Sequence, residues 1–427
     1  MKVLWITNLV FPEAASKIVG NRDLRSSGGW MLGAAENLIN REGVQLYVAT
    51  VSPLVKDLQL IEGERIVYYI LPYGKGNLKP NPKYQEYWMK ISAEVNPDVV
   101  HIHGTEFSHG YEYMRSCGSD NVVISIQGMK SACSHYYHYG MLKREVLQNI
   151  TLRDIIKGSI LKAQRDFRRS SKYEIAMLSM AKHIIGRTTW DRARTWAINP
   201  NAKYHFCNET LRKEFYDGSI WDYERCRKHT LFLSQAGYPI KGLHQVLKAM
   251  PLILRAYPNS TIRIAGHDIT KCNSFRDFLH FTGYGLYIKR LIKRLNLHDK
   301  VKFVGNLNAE QMKLEYLSAN VFVCPSSIEN SPNSLGEAQI LGVPSVASYV
   351  GGVPDMMVGS EDNLYRFEEI EMLADRIVNI FNRKAKFDTS HIIKKAALRH
   401  NGTMNAIQLL NIYDSIVCNK EVSLRDC

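Results

Sequence analysis

Glu329 and Glu337 stand eight positions apart, on either side of the turn formed by Asn330, Ser331, Pro332 and Asn333. A loop carboxylate accepts hydrogen bonds from hydroxyls, and the backbone N–H groups that open a helix favour an anion such as a phosphate. With this spacing one acid can reach a sugar-like group while the turn that opens the helix holds a diphosphate. Two plainer readings stand beside it. Ser334 and Glu337 have the S-x-x-E spacing of a capping box, which needs no ligand, and Glu329 alone reads as a solvated loop charge.

The elements that must place these acids are legible around them. Asn320 to Cys324 is an apolar run stopped by Pro325 and reads as a short buried strand; Ser334 to Leu341 reads as a helix stopped by Gly342 and Pro344. Glu329 is then expected at the carboxyl end of a strand, the edge where open α/β sheets bind ligands. Strand and helix signals alternate in two runs. The first has strands at Val3–Thr7, Gln45–Val51, Ile66–Ile70, Val99–His103, Val122–Ile126 and His183–Gly186, with helices near 30–40, 82–94 and 143–182. The second has strands at Thr230–Ser234, Thr261–Ala265, Val301–Val304, Val321–Cys324 and Ser345–Ser348, with helices near 243–257, 285–295, 309–318 and 334–341. Each run predicts a doubly wound α/β domain. Asn208 to His229 is charged, aromatic and aperiodic, which suits a linker, so the expected division is 1–207, 208–228 and 229–404.

A chain of 427 residues exceeds the size at which one core stops growing, and 45% apolar with 22% charged residues excludes a disordered chain. The eight cysteines include no C-x-x-C pair, so neither a zinc site nor a small disulfide framework is expected. Val3–Ile6 is too short for a signal sequence, and no uncharged apolar run spans a bilayer, so a cytoplasmic protein is expected. A net charge of +14 calls for an anionic partner. Lys143 to Lys172 carries nine Lys or Arg interleaved with Leu147, Ile150, Leu152, Ile155, Ile156, Ile160 and Leu161. That is the pattern of a basic amphipathic helix, either packed on the core or attached to an anionic membrane surface.

The segment Glu329, Asn333, Ser334, Glu337 followed by Gly351–Gly352–Val353–Pro354 resembles the E-x7-E motif and GG-x-P loop of retaining GT-B glycosyltransferases of family 4. The resemblance implies an α/β GT-B fold, two Rossmann-like domains facing a central cleft, with the final helix, 405–427, crossing back to the first domain. It also implies a nucleotide-sugar donor, UDP- or GDP-linked, as substrate, with no cofactor and no metal. Glu329 would hold sugar hydroxyls, Glu337 the ribose, and Asn333, Ser334 and Leu335 the diphosphate. Ser27–Gly28–Gly29–Trp30 is similar to the family's GG loop, and Asp98 to Gly104 to its strand ending in H-x-H-G, with His103 facing the cleft.

Two departures stand out against that pattern. Gln127 ends the strand where many members have histidine, and it cannot shuttle a proton. Ala236 holds the place of the arginine in the R-x4-K-G loop, although Lys241–Gly242 is kept; Arg187, in the family-like GRTTWD, is the expected substitute cation. No D-x-D occurs, which fits a diphosphate site built without metal. The expected acceptor is a lipid-linked or surface glycan, with the protein peripheral on the inner membrane face and no nucleic acid bound. A non-catalytic sugar or nucleic-acid binding protein and a nucleotide-sugar epimerase of the same architecture remain as alternatives.

Overall fold

The computed structural model describes residues 1–20, 29–72, 82–383 and 388–425. It contains two compact units that do not follow one another along the chain. The first comprises 1–131, 168–211 and 400–427, and the second 132–167 and 212–399.

The first unit is built on an eight-stranded sheet: β1 (Lys2–Ile6), β2 (Gln45–Ser52), β3 (Gln59–Glu62), β4 (Ile66–Pro72), β5 (Val99–His103), β6 (Val122–Ser125), β7 (His183–Gly186) and β8 (Lys203–Phe206), in the order 3-4-2-1-5-6-7-8. All neighbours are parallel except the hairpin of β3 on β4. The second unit has a six-stranded parallel sheet of β9 (Arg227–Leu233), β10 (Thr261–Ala265), β11 (Val301–Gly305), β12 (Ala319–Cys324), β13 (Ser345–Ser348) and β14 (Leu364–Tyr365), in the order 11-10-9-12-13-14. Strand β12 is buried at every position, as a central parallel strand covered on both faces must be.

Three sequence expectations shift. The helix expected over 143–182 is three helices, Lys143–Gln148, Leu152–Lys157 and Ile160–Met180. Thr151 starts a new helix by capping Asp154 N–H, and Gly158 stops it at φ 105°. The stretch 132–167 belongs to the second unit rather than the first, because Met141, Val146 and Ile160 enter that unit's core. The expected linker is packed: Phe215 and Trp221 are buried, and Trp221 donates from Nε1 to Ala319 O (2.7 Å) and from its backbone to Leu341 O (2.8 Å). The last helix, Gly402–Arg425, belongs to the first unit; its Tyr413 hydroxyl accepts from Trp5 Nε1 at 3.0 Å.

Candidate functional site

In the second unit the residues after β12 form a loop laced to two others. Ser327 N–H donates to Ile240 O (2.8 Å), and Ser348 Oγ donates to Ser326 O (2.5 Å). Two glycines permit this approach. A Cβ on Gly242, which has φ 70°, would lie 1.7 Å from Pro325 O, and one on Gly351, φ 53°, would lie 1.9 Å from Glu329 O. Gly352 N–H then donates to Glu329 O at 3.1 Å. The glycine pair thus fixes the backbone of the acid, and only residues without a side chain fit there.

The loop brings Glu329 against Lys241. Lys241 Nζ lies 2.5 Å from Glu329 Oε1, which also accepts from Ser326 Oγ at 2.8 Å. Both side chains are mostly buried. Burial alone would lower the lysine pKa, but the adjacent carboxylate holds it above its usual value and keeps the ammonium charged. Both described bonds use Oε1, so Oε2 is left to accept from a hydroxyl.

Helix Asn333–Ile340 is N-capped by Pro332 and has no side-chain cap. The capping-box reading therefore fails: Ser334 lies inside the helix, and Glu337 turns elsewhere. Glu337 Oε1 accepts from Arg212 Nε at 2.7 Å and Oε2 from Tyr316 OH at 3.3 Å. Burial raises the pKa of this carboxyl, while the Arg212 bond opposes the shift. Of the three backbone donors expected to hold a diphosphate, Leu335 N–H is used by Pro332 O at 3.0 Å. Those of Asn333 and Ser334 open the helix, where the dipole favours an anion.

In the first unit His103, Gln127 and Arg187 line one cavity of about 50 Å³, together with Trp5, Trp30 and Glu209. This has room for a few waters or a small polar group. Arg187 pairs with Glu209, donates to Ile126 O and reaches Gln127 Oε1 at 3.5 Å. Gln127 Nε2 donates to Glu209 Oε1 at 2.6 Å. An amide suits this position because its oxygen faces a cation and its nitrogen faces an anion. Arg187 thus belongs to the first unit and is engaged there; Lys241 belongs to the second.

His101 is held at both ring nitrogens, by Tyr413 OH (2.6 Å) and Ser125 Oγ (2.5 Å). His103 stacks on it with ring centroids 3.8 Å apart, and neither of its own buried nitrogens has a partner among the described residues. Burial, and then the charge of Arg187, lower its pKa to about 3, so it is neutral at pH 7. Gly28 lies outside the described residues; Gly29 opens helix Gly29–Ile39.

Because the folded pKa of His103 lies below the unfolded value near 6.5, its contribution to stability is complete above pH ~6.5 and is lost as pH falls toward 3. Over that window His103→Gln is expected to reduce the acid slope of unfolding free energy by up to about 1.4 kcal/mol per pH unit. Urea titrations at pH 4, 5 and 7 measure this. An unchanged slope would show that His103 is not held neutral.

Sequence reasoning missed Glu209 and Arg212. They lie three residues apart in the aperiodic stretch 208–228, and each forms a buried or part-buried pair within its own unit. Nothing local signals partners 22 and 125 positions away.

Residues 226–400 match the family model "Glycosyl transferases group 1". An uncharacterized glycosyltransferase of Methanocaldococcus jannaschii is 33% identical over 130 residues, 30% of this chain and 29% of that protein. The chain spans about a third of the length of the first curated relatives it matches. Among solved structures, sucrose-phosphate synthase from Thermosynechococcus elongatus aligns with TM-score 0.71 at 18% identity, covering 98% of this chain and all of that one. HepE of Anabaena, solved with UDP-glucose, aligns with TM-score 0.64 at 14% identity, covering 97% of this chain and all of that one. The fold is GT-B, and the match to the glycosyl transferases group 1 model covers residues 226–400, less than half of the chain.

Proposed function

We propose that the chain transfers a glycosyl group from a nucleoside-diphosphate sugar, UDP- or GDP-linked, to a hydroxyl of a lipid-linked or surface glycan, with retention of anomeric configuration. The observation that carries this reading is the Lys241–Glu329 pair at the carboxyl end of β12, fixed by Gly242 and Gly351 within the matched domain. The fold shared with a protein crystallised with UDP-glucose supports the donor class.

In this reading the acceptor oxygen bonds the anomeric carbon on the face from which the bond to phosphate breaks. The acceptor proton passes to the departing phosphate oxygen. Lys241 and the N–H groups of Asn333 and Ser334 stabilise the charge that builds on the diphosphate. Glu329 Oε2 takes a sugar hydroxyl, and Glu337, oriented by Arg212 and Tyr316, takes the ribose. Within the first unit, a neutral His103 offers a hydrogen bond to a hydroxyl beside Gln127 and Arg187, the latter held by Glu209. The proposed scheme uses no metal.

Titration with UDP and GDP by calorimetry, with and without EDTA, tests the site. Binding is expected to survive EDTA and to weaken by about 1.5–3 kcal/mol in Glu337→Gln, the range for hydrogen bonds to a charged group. Loss of all binding in EDTA, restored by magnesium, would overturn the metal-free scheme. A Glu337→Gln variant that melts earlier but binds unchanged would return Glu337 to a purely structural pairing with Arg212.

A further inference from the structure

The basic stretch does not present one continuous amphipathic face. Val146 and Ile160 are buried in the second unit's core and Leu161 packs against it, whereas Ile155 and Ile156 are 74% and 69% exposed. Helix Leu152–Lys157 packs on helix Phe275–His280, which sequence periodicity had not shown. That second helix exposes Phe275 (77%), Phe278 and Leu279. The two are locked together: Thr151 Oγ1 donates to Phe281 O at 2.7 Å, and Gly283 N–H donates to Asp154 Oδ2 at 2.8 Å. Single exposed apolar residues are ordinary, but large ones from two joined helices form a patch that marks an interaction surface.

The charges around that patch are sorted. Glu145 accepts from Leu142 N–H (2.8 Å), Asp154 from Gly283 N–H, and Asp277 from the N–H groups of Asn273 and Ser274 (3.0 and 3.1 Å). All three acids of the two segments are turned onto backbone donors. Lys143, Arg144, Lys157, Lys271 and Arg276 are left in solvent. Apolar side chains flanked by exposed cations complement one chemistry in particular, an anionic bilayer surface, into which the rings and isoleucines can insert while the cations meet headgroups.

We propose that helices Leu152–Lys157 and Phe275–His280 together form a docking face for anionic membrane on the second unit. Helix Ile160–Met180 and the first unit are not part of it. The proposal bears on where an acceptor is met but does not rest on sugar transfer, because its test involves no turnover.

The test is co-sedimentation of the full chain with vesicles of mixed phosphatidylglycerol and phosphatidylcholine, and with phosphatidylcholine alone. The wild type is expected to bind the anionic vesicles selectively, and less so at high salt. Ile155→Ser/Ile156→Ser/Phe275→Ser is expected to lower binding at least tenfold. Lys157→Ser/Arg276→Ser should lower it about fivefold per cation removed, while Arg225→Ser/Lys302→Ser, on other elements, leaves it within twofold. Unchanged melting curves would show that these surface variants fold. Equal binding to both vesicle types, equal losses in the two charge pairs, or a triple variant that binds like wild type would overturn the proposal. So would a wild-type dimer in sedimentation that the triple variant converts to monomer without any vesicle binding, which would assign the face to a second copy of the chain.

Discussion

Arg187→Leu is expected to cost the first unit about 3–5 kcal/mol, the penalty for stranding a buried charge. Glu209 would keep its carboxylate 12% exposed with only the Gln127 amide to answer it, and the Ile126 carbonyl would lose its donor. Denaturant unfolding of the full chain, followed by a probe in the first unit such as Trp5, measures the loss. A double variant, Arg187→Leu/Glu209→Leu, should recover much of it, because an apolar pair leaves no charge behind. A single variant within 1 kcal/mol of wild type would show that solvent reaches the pair.

The second large effect concerns turnover. Lys241→Ala is expected to lower kcat about 10²–10³-fold, the usual consequence of removing one donor to developing charge in a closed site. Glu329→Gln should also lower kcat while leaving nucleotide affinity near wild type, since its contact is proposed at the sugar rather than the diphosphate. Steady-state kinetics with a soluble glycan acceptor, paired with nucleotide titration, separates the two. If both variants keep kcat within threefold, Lys241 and Glu329 form a structural ion pair and the reactive centre lies elsewhere.

How far the sequence reached depended on whether a partner was local. Strand β12 and the helix that follows it were legible because an apolar run stopped by proline, then a small-residue helix stopped by glycine, encode both ends within thirty residues. Strands β3 and β8 escaped because their residues are largely exposed or half-exposed and carry no clean alternation. The motif Gly351–Gly352 was visible as a pattern, but its reason, room for the Glu329 carbonyl, lies 22 positions back and shows only in the fold. The break at Thr151–Asp154 is encoded locally by a capping pair, which outweighs the apolar periodicity running through it. The affiliation of 132–167 was beyond reach, since Met141, Val146 and Ile160 would suit either core.

The interleaving of the two units has a bearing on how the chain is made. Trp5 and His101 both bond the hydroxyl of Tyr413, so the first unit acquires the last part of its core more than three hundred residues after the ribosome has released β5. Until then the exit of residues 1–399 leaves a sheet with an uncovered apolar flank, held open for as long as synthesis of the second unit takes. Domains ordinarily fold in order as they emerge. Here the unit that emerges first is finished last, and dividing the gene at any single point yields no fragment that carries the first unit whole, whereas a cut after residue 131 or 399 leaves the second unit's residues on one piece.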